Sequence, residues 1–275
     1  MTDQAQKAKR FLELHAGEHP LLLPNPWDAG SAKLLASLGF EALATTSGGF
    51  AATLGRLDGS VTREEAVAHA AAIARSTDLP VSADFENGFA DDPAEVAQTV
   101  RMAIDAGLAG CSIEDTTGAD EGPALYDPGT AAARIEAAAE VAHGGAVRLV
   151  LTARAENYLH GRPDLRDTIR RLQAYQDAGA DVLYAPGLHT IDDIRDVVSA
   201  VDRPVNVLAW PGAPSVSELA AVGVARVSVG GAFAFAALGA AVEAAQELLE
   251  AGTYGFLGSA RMGMQRAKAA FGSAT

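Results

Sequence analysis

The chain has 275 residues, 49% hydrophobic and 20% charged, enough for one large domain with a substantial core and close to the roughly 250 residues of an ordinary α/β barrel. Its formal net charge is −14 and its 21 Lys and Arg are scattered, which excludes a phosphate-neutralising nucleic-acid surface. The one cysteine, Cys111, excludes an intramolecular disulfide and a cysteine-based zinc cluster, and suits a reducing cytosol.

In chain order, the polar, helix-like MTDQAQKAKRFLELHAGEHP comes first. It has no secretory apolar core, so a cytoplasmic location is expected. Eight short apolar runs follow: LLLPNP from Leu21, EALATTS from Glu41, PVSADFE from Pro80, GCSIED from Gly110, VRLVLTARAE from Val147, DVLYAPG from Asp181, PVNVLAW from Pro204 and RVSVGG from Arg226. Their near-continuous hydrophobicity is that of strands buried on both faces. Helical patterns lie between them, among them PAEVAQTVRMAIDAGLAG, TIRRLQAYQDAGAD, TIDDIRDVVSAVD and SVSELAAVGVA. Gly39, Gly107, Gly179 and Gly223 stand where a helix must stop before the next strand. This alternation predicts a (β/α)8 TIM-type barrel, one domain over 1–275. The alternative is an open doubly wound sheet, but the G-x-G-x-x-G turn expected after its first strand is missing. The longest uncharged run, Val227 to Val242, falls short of the roughly 18 apolar residues of a membrane span. It reads as buried strand, then helix, and no membrane partner is expected. From about residue 233 to 275 there is more helix than one barrel unit needs, and the surplus is expected to pack on a neighbouring subunit.

In such a barrel the residues at the carboxyl ends of the strands form the active mouth. Those ends carry Asn25, Trp27 and Asp28; Ser47, Gly48 and Gly49; Asp84 and Glu86; Glu114 and Asp115; Arg154, Glu156 and Asn157; Tyr184; Asn206; and Ser228. In VSADFENGFADD, Asp84 and Glu86 alternate along one strand face, about 7 Å apart. Carboxylates converging on one mouth repel unless a cation sits among them, and oxygen ligands favour Mg²⁺ or Mn²⁺ over zinc. Arg154 offers a fork for a substrate carboxylate or phosphonate. Ser47, Gly48 and Gly49 offer a backbone nest for an anion.

Taken together, GFEALATTSGGFAATLGRLDG, LPVSADFENGFADDP, AGLAGCSIEDTTG, LTARAENYLHGR and AGADVLYAPGL resemble the isocitrate lyase and phosphoenolpyruvate mutase superfamily, in order and spacing over nearly the whole chain. The resemblance implies a (β/α)8 barrel whose last helix is exchanged within a dimer or tetramer. It implies a Mg²⁺ or Mn²⁺ ion and a small 2-oxo or 2-hydroxy acid substrate passing through an enolate-like species. Position by position, Asp84 resembles the direct metal ligand, and Asp58, Glu86 and Glu114 the carboxylates that hold the metal through water. Ser47, Gly48 and Gly49 resemble the substrate nest, Arg154 the substrate arginine, and Asn206 a polar substrate-side residue of the seventh strand. The family usually has Asp where Glu86 stands.

The departures matter as much. The lyase motif Lys-Lys-Cys-Gly-His is absent, and Cys111 lies within the fourth strand rather than in the loop after it. No Lys or Arg occurs from Cys111 to Ala133, so the loop cation of the phosphonate enzymes is missing. Pro186 stands where the lyases place a glutamate. Thr116 and His160, with Thr117 and Tyr184 as alternatives, are then the candidate proton carriers, and Arg154 and Glu114 complete the catalytic set. Ordinary structural roles stay open: Asp58-Gly59 and Asn87-Gly88 as turns, Glu114 and Asp115 as helix caps, Arg154 paired with Glu156, Asp28 capping a helix on which Trp27 packs. The expected activity is metal-dependent cleavage of a C–C bond in a small oxo or hydroxy dicarboxylate. C–P bond chemistry and a catalytically silent acid-binding barrel are the alternatives.

Overall fold

The computed structural model describes residues 3–118 and 124–272. Residues 119–123, in the loop after the fourth strand, and 273–275, the end of the C-terminal segment, lie outside the described residues. Eight strands appear where the apolar runs place them: β1 Leu21–Leu23, β2 Leu43–Ala44, β3 Val81–Asp84, β4 Gly110–Glu114, β5 Val150–Arg154, β6 Val182–Tyr184, β7 Val205–Leu208 and β8 Arg226–Ser228. The described helices are α1 Gln4–Leu14, α2 Ala29–Ser37, α3 Ser47–Thr53, α4 Arg63–Arg75, α5 Pro93–Asp105, α6 Pro128–Gly144, α7 Leu165–Asp177, α8 Ile191–Ala200, α9 Val216–Ala221, α10 Ala232–Glu250 and α11 Leu257–Phe271.

Every strand pair is parallel, in the order β1-β8-β7-β6-β5-β4-β3-β2. The β1 and β2 ends meet where Ala44 N donates to Pro24 O at 3.1 Å and Asn25 Nδ2 to Thr45 O at 3.0 Å. Asn25 Oδ1 also accepts from Val229 N at 3.0 Å and Gly230 N at 2.9 Å, so one side chain ties three strand ends together. This is the (β/α)8 barrel the sequence predicts. Helices begin where short polar side chains satisfy their free N–H groups: Asp28 and Ser31 form a capping box, as do Thr62 with Glu65 and Ser215 with Glu218. They stop at glycines in the left-handed region, among them Gly39, Gly107, Gly179 and Gly223.

Alternation along the strands separates two environments. Outward residues such as Leu43, Cys111, Ile113, Leu151, Ala153 and Leu183 pack with the helices in the main core. At the amino-terminal end of the barrel, Leu21, Val150 and Val182 pack with Ala8 and Phe11 of α1, which closes that end. Above them the interior turns polar: Ser82, Thr152, Asn206, Arg226 and Ser228 are all buried.

The stretch from Val227 divides at Gly231. Arg226–Ser228 is buried, but of α10 only Ala234 is, and Phe235, Leu238, Val242 and Leu249 are exposed. The stretch is thus a buried strand followed by a helix, as its sequence reads, and the helix leaves most of its apolar side chains exposed. By length and composition α10 could cross a membrane, an extent reached only by adding Glu243, Glu247 and Glu250 to the uncharged run. None of α11 is buried, and Phe271 lies near Gly30 of α2 in its own chain.

Candidate active site

The carboxyl ends of β3, β4 and β5 meet at Arg154. Its Nη1 lies 3.1 Å from Asp84 Oδ1 and 2.8 Å from Glu114 Oε1, and its Nε donates to Glu156 Oε1 at 2.7 Å. The guanidinium also sits over the Tyr184 ring, 4.9 Å from its centroid. Asp84 Oδ2 accepts from Ser47 N at 3.3 Å and Ser47 Oγ at 3.1 Å. Arg154 and Glu156 do pair, and Arg154 serves the acids of the neighbouring strands as well.

The turn after β3 sets Glu86. Glu86 and Phe89 adopt φ of 47° and 59°, unusual for residues with a Cβ. Glu114 N donates to Glu86 O at 2.8 Å, and Arg134 of α6 donates to the carbonyls of Glu114, Asn87 and Ala90. A buried arginine thus ties the β3 turn to the end of β4. Asp115 does not cap a helix. It accepts from Glu156 N at 2.8 Å, Arg171 Nη1 at 2.8 Å and Tyr175 Oη at 2.6 Å, fixing the far side of the same strand ends.

Two adjoining cavities open here. The outer one, about 730 Å³, is lined by Ser47, Asp58, Glu86, Glu114, Thr116 and His160 among others. The inner one, about 220 Å³, shares Ser47, Asp58 and Glu114 with it and reaches Asp84, Arg154, Asn206 and Arg226. Thr116 Oγ1 donates to Glu114 Oε2 at 3.3 Å. His160 is exposed at the outer wall. Gly48 faces Asp58, whose Oδ2 is 3.2 Å from where a Cβ would stand. Gly49 N donates to Thr46 Oγ1 at 3.2 Å. Asn206 lies deeper than the rim, donating to Ser228 Oγ at 2.9 Å and accepting from Arg226 Nε at 2.9 Å. Ten of the eleven candidate residues therefore line these two cavities; Gly49 does not, its N–H being held by Thr46 and its Cα facing Ala234 of α10. Sequence reasoning missed Arg226 and Arg134; the inward phase of β8 was the available signal for the first, and an Ala-rich helix gave none for the second.

Charge is unbalanced at this rim. Burial pushes Glu86 up to about 7, and Asp84 and Asp58 add to the rise while Arg154 opposes it. Burial also raises Glu114, against the pull of Arg154 and with the help of Glu156, Asp84 and Glu86. Oxygen donors alone, mutually repelling and held on fixed strand ends, fit a hard divalent cation. Among the described residues no three acidic, His or Cys side chains form a ready direct ligand set. The physical reason is that Arg154 Nη1 occupies the space between Asp84 and Glu114. A site with one direct carboxylate and water-bridged neighbours is compatible with that spacing.

A parallel barrel whose carboxyl-end rim gathers acids and an arginine above a cavity is the architecture of a small-molecule enzyme. The phosphoenolpyruvate phosphomutase family pattern matches residues 11–249. A 2-methylisocitrate lyase of Halalkalibacterium halodurans is 30% identical over 208 residues, covering 74% of this chain and 67% of that protein. An oxaloacetate decarboxylase of Chromohalobacter salexigens is 30% identical over 254 residues, covering 86% and 83%. The crystal structure of a Burkholderia cenocepacia protein assigned provisionally as a lyase/mutase superposes with a TM-score of 0.89 at 52% identity, covering 92% of this chain and 91% of that one. The chain belongs to the isocitrate lyase/phosphoenolpyruvate mutase superfamily.

Proposed function

We propose that the protein, a carbon–carbon lyase of this superfamily, acts with Mg²⁺ or Mn²⁺ on a small 2-oxo or 2-hydroxy dicarboxylate. The observation that carries this reading is Arg154, held by Asp84, Glu114 and Glu156, in the wall of a cavity that runs from the rim into the barrel. Asp84 would hold the metal directly, with Asp58, Glu86 and Glu114 through water. Such an ion would supply electrophilic stabilisation of the negative charge that develops on the acid's oxygens as the C–C bond breaks.

The remaining work falls to the chain's own residues. Arg154, locked by three carboxylates, presents a fixed charge to the substrate carboxylate without having to reorganise. Ser47, whose N–H and hydroxyl now meet Asp84, would turn to the substrate carboxylate beside Gly48, which presents no side chain to the cavity; the N–H of Gly49 is taken by Thr46. Glu114 and Thr116 share a hydrogen bond at the cavity wall and, with His160, are the groups placed to move a proton. C–P chemistry is less well served, since the loop after β4 brings no cation to a transferring phosphoryl group.

The same reading places the protein in the cytoplasm and assembles it as a homodimer or homotetramer through its C-terminal helices. The support for assembly is the apolar surface of α10 and α11, where Phe235, Leu249, Met262 and Phe271 are exposed. Incubation with oxaloacetate, 2-methylisocitrate, dimethylmalate and phosphonopyruvate in the presence of each metal tests the activity. Pyruvate without inorganic phosphate is expected; phosphate release, or no turnover of any acid, overturns it. Asp84→Ala is expected to abolish Mg²⁺ binding in calorimetry, and unchanged affinity removes Asp84 from the ligand set.

A further inference from the structure

The barrel interior below the rim differs from the branched aliphatic filling usual in this fold. Arg226, the first residue of β8, points into it and is 4% exposed. Its Nε donates to Asn206 Oδ1 at 2.9 Å and its Nη2 to Thr152 Oγ1 at 3.2 Å. Its Nη1 lies 3.2 Å from His15 Nε2. His15 Nδ1 is 2.7 Å from Phe11 O, so Nδ1 carries the hydrogen and Nε2 accepts from the arginine. Each terminal guanidinium nitrogen has two hydrogens and makes one such bond among the described residues, leaving two N–H groups for a ligand.

The electrostatics are equally one-sided. Among the described residues no carboxylate forms an ion pair with Arg226; the charge nearest in effect is the like charge of Arg154, and the Tyr184 hydroxyl beside it is neutral, pushed up to about 12 by burial. Burial without an acid partner pulls its pKa down to about 10. Arg154, by contrast, is already surrounded by three carboxylates. A buried guanidinium lacking a counter-charge is costly to keep. Here it lines the inner cavity that also holds Asp84, Ser47 and Arg154.

We propose that Arg226, positioned from beneath by Thr152 and lining the cavity beside Asn206, forms an anion subsite on the cavity floor that binds the distal carboxylate of the substrate. Thr152 and Arg154 are two residues apart on β5, so the subsite lies about 7 Å below the rim. That spacing selects a short diacid, its oxo or hydroxy acid head at the rim and its second carboxylate beneath. The inference rests on the lyase reading for the orientation of the head and deepens it. A carboxylate held by a guanidinium is stabilised as the anion, and that stabilisation is lost as it becomes CO₂. The subsite therefore favours C–C cleavage that retains the distal carboxylate over decarboxylation.

The test compares malate with lactate, which lacks only the distal carboxylate, by calorimetry with Mg²⁺ at constant ionic strength. The full-length wild type is expected to bind malate at least about tenfold more tightly than lactate. Arg226→Met is expected to weaken malate by about 10- to 100-fold and leave lactate within about twofold. Thr152→Val, nearly isosteric, keeps the question answerable if the methionine variant does not fold; it is expected to weaken malate by about threefold or more and spare lactate. Equal losses for both acids, no loss, or no wild-type preference for malate each overturn the subsite. Failure to release pyruvate from any of the four acids, with the malate preference and its dependence on Arg226 intact, would remove the lyase reading and leave the subsite standing.

Discussion

Arg154 shows how one side chain can set a whole rim. Three carboxylates converge on it, and replacing it by Lys keeps the charge but loses the fork that engages Asp84, Glu114 and Glu156 from two nitrogens. Losing one charge-assisted hydrogen bond, worth about 1.5–3 kcal/mol, should lower kcat/KM roughly 10- to 100-fold. Steady-state kinetics of Arg154→Lys on the acid that the wild type turns over measures this; an unchanged kcat/KM would mean the fork is dispensable. His15 gives the chain a pH dependence of a different origin. It is buried between Phe11 and the cationic Arg226, and burial, then Arg226, hold its pKa down at about 3 against the hydrogen bond to the Phe11 carbonyl and the charge of Asp181. Below pH 6.5 the unfolded chain takes up a proton that the folded chain refuses, so stability falls from about pH 6.5 towards pH 3. The loss is at most about 1.4 kcal/mol per pH unit. Urea unfolding of the wild type and His15→Gln at pH 7.5 and 5 should show a shallower decline in the variant, whose amide can still accept from Arg226. Parallel declines would exclude His15 as the source.

At the scale of elements, the junction of α1 with the barrel depends on a missing side chain. A Cβ on Gly110 would stand 2.8 Å from Phe11 Cε1 and 2.9 Å from Val150 O. Gly110→Ala is therefore expected to cost about 1–3 kcal/mol through overpacking, seen as a lower midpoint in chemical denaturation; a change below about 0.5 kcal/mol, the ordinary surface range, would show that α1 is loosely seated. The strands were legible because runs such as VRLVLTARAE and GCSIED keep one face wholly apolar, through Leu149, Leu151 and Ala153 and through Cys111 and Ile113, and the helix ends because glycine stops them. The carboxylate rim was legible for a related reason: charged residues at the end of an apolar run have only the open mouth to face. Arg134 was not legible. Within PGTAAARIEAAAE it has the look of a solvated helix residue, and only the packing of α6 against α5 brings it beneath the β3 turn. Asp115 looked like a cap because its partners, Arg171 and Tyr175, are more than 50 residues away. Long-range partners of this kind leave no local pattern.

At the scale of the molecule, the −14 charge and the apolar C-terminal helices pull in opposite directions. Self-repulsion keeps copies apart except where apolar surface can be covered. Sedimentation velocity should show a dimer or tetramer, and Phe235→Glu with Leu249→Glu should shift it towards the single chain; a wild type that sediments as a monomer would refute the assembly. The sequence showed that α10 and α11 exceed one barrel unit, but their exposure depends on the direction of the chain after Gly231, which no periodicity records. A last consequence concerns traffic. With α1 stoppering the far end, whatever enters the interior has a single doorway for arrival and departure. Fragments of a cleaved molecule would accordingly have to file out in turn, the piece nearer the lip leaving before the one lodged at the bottom.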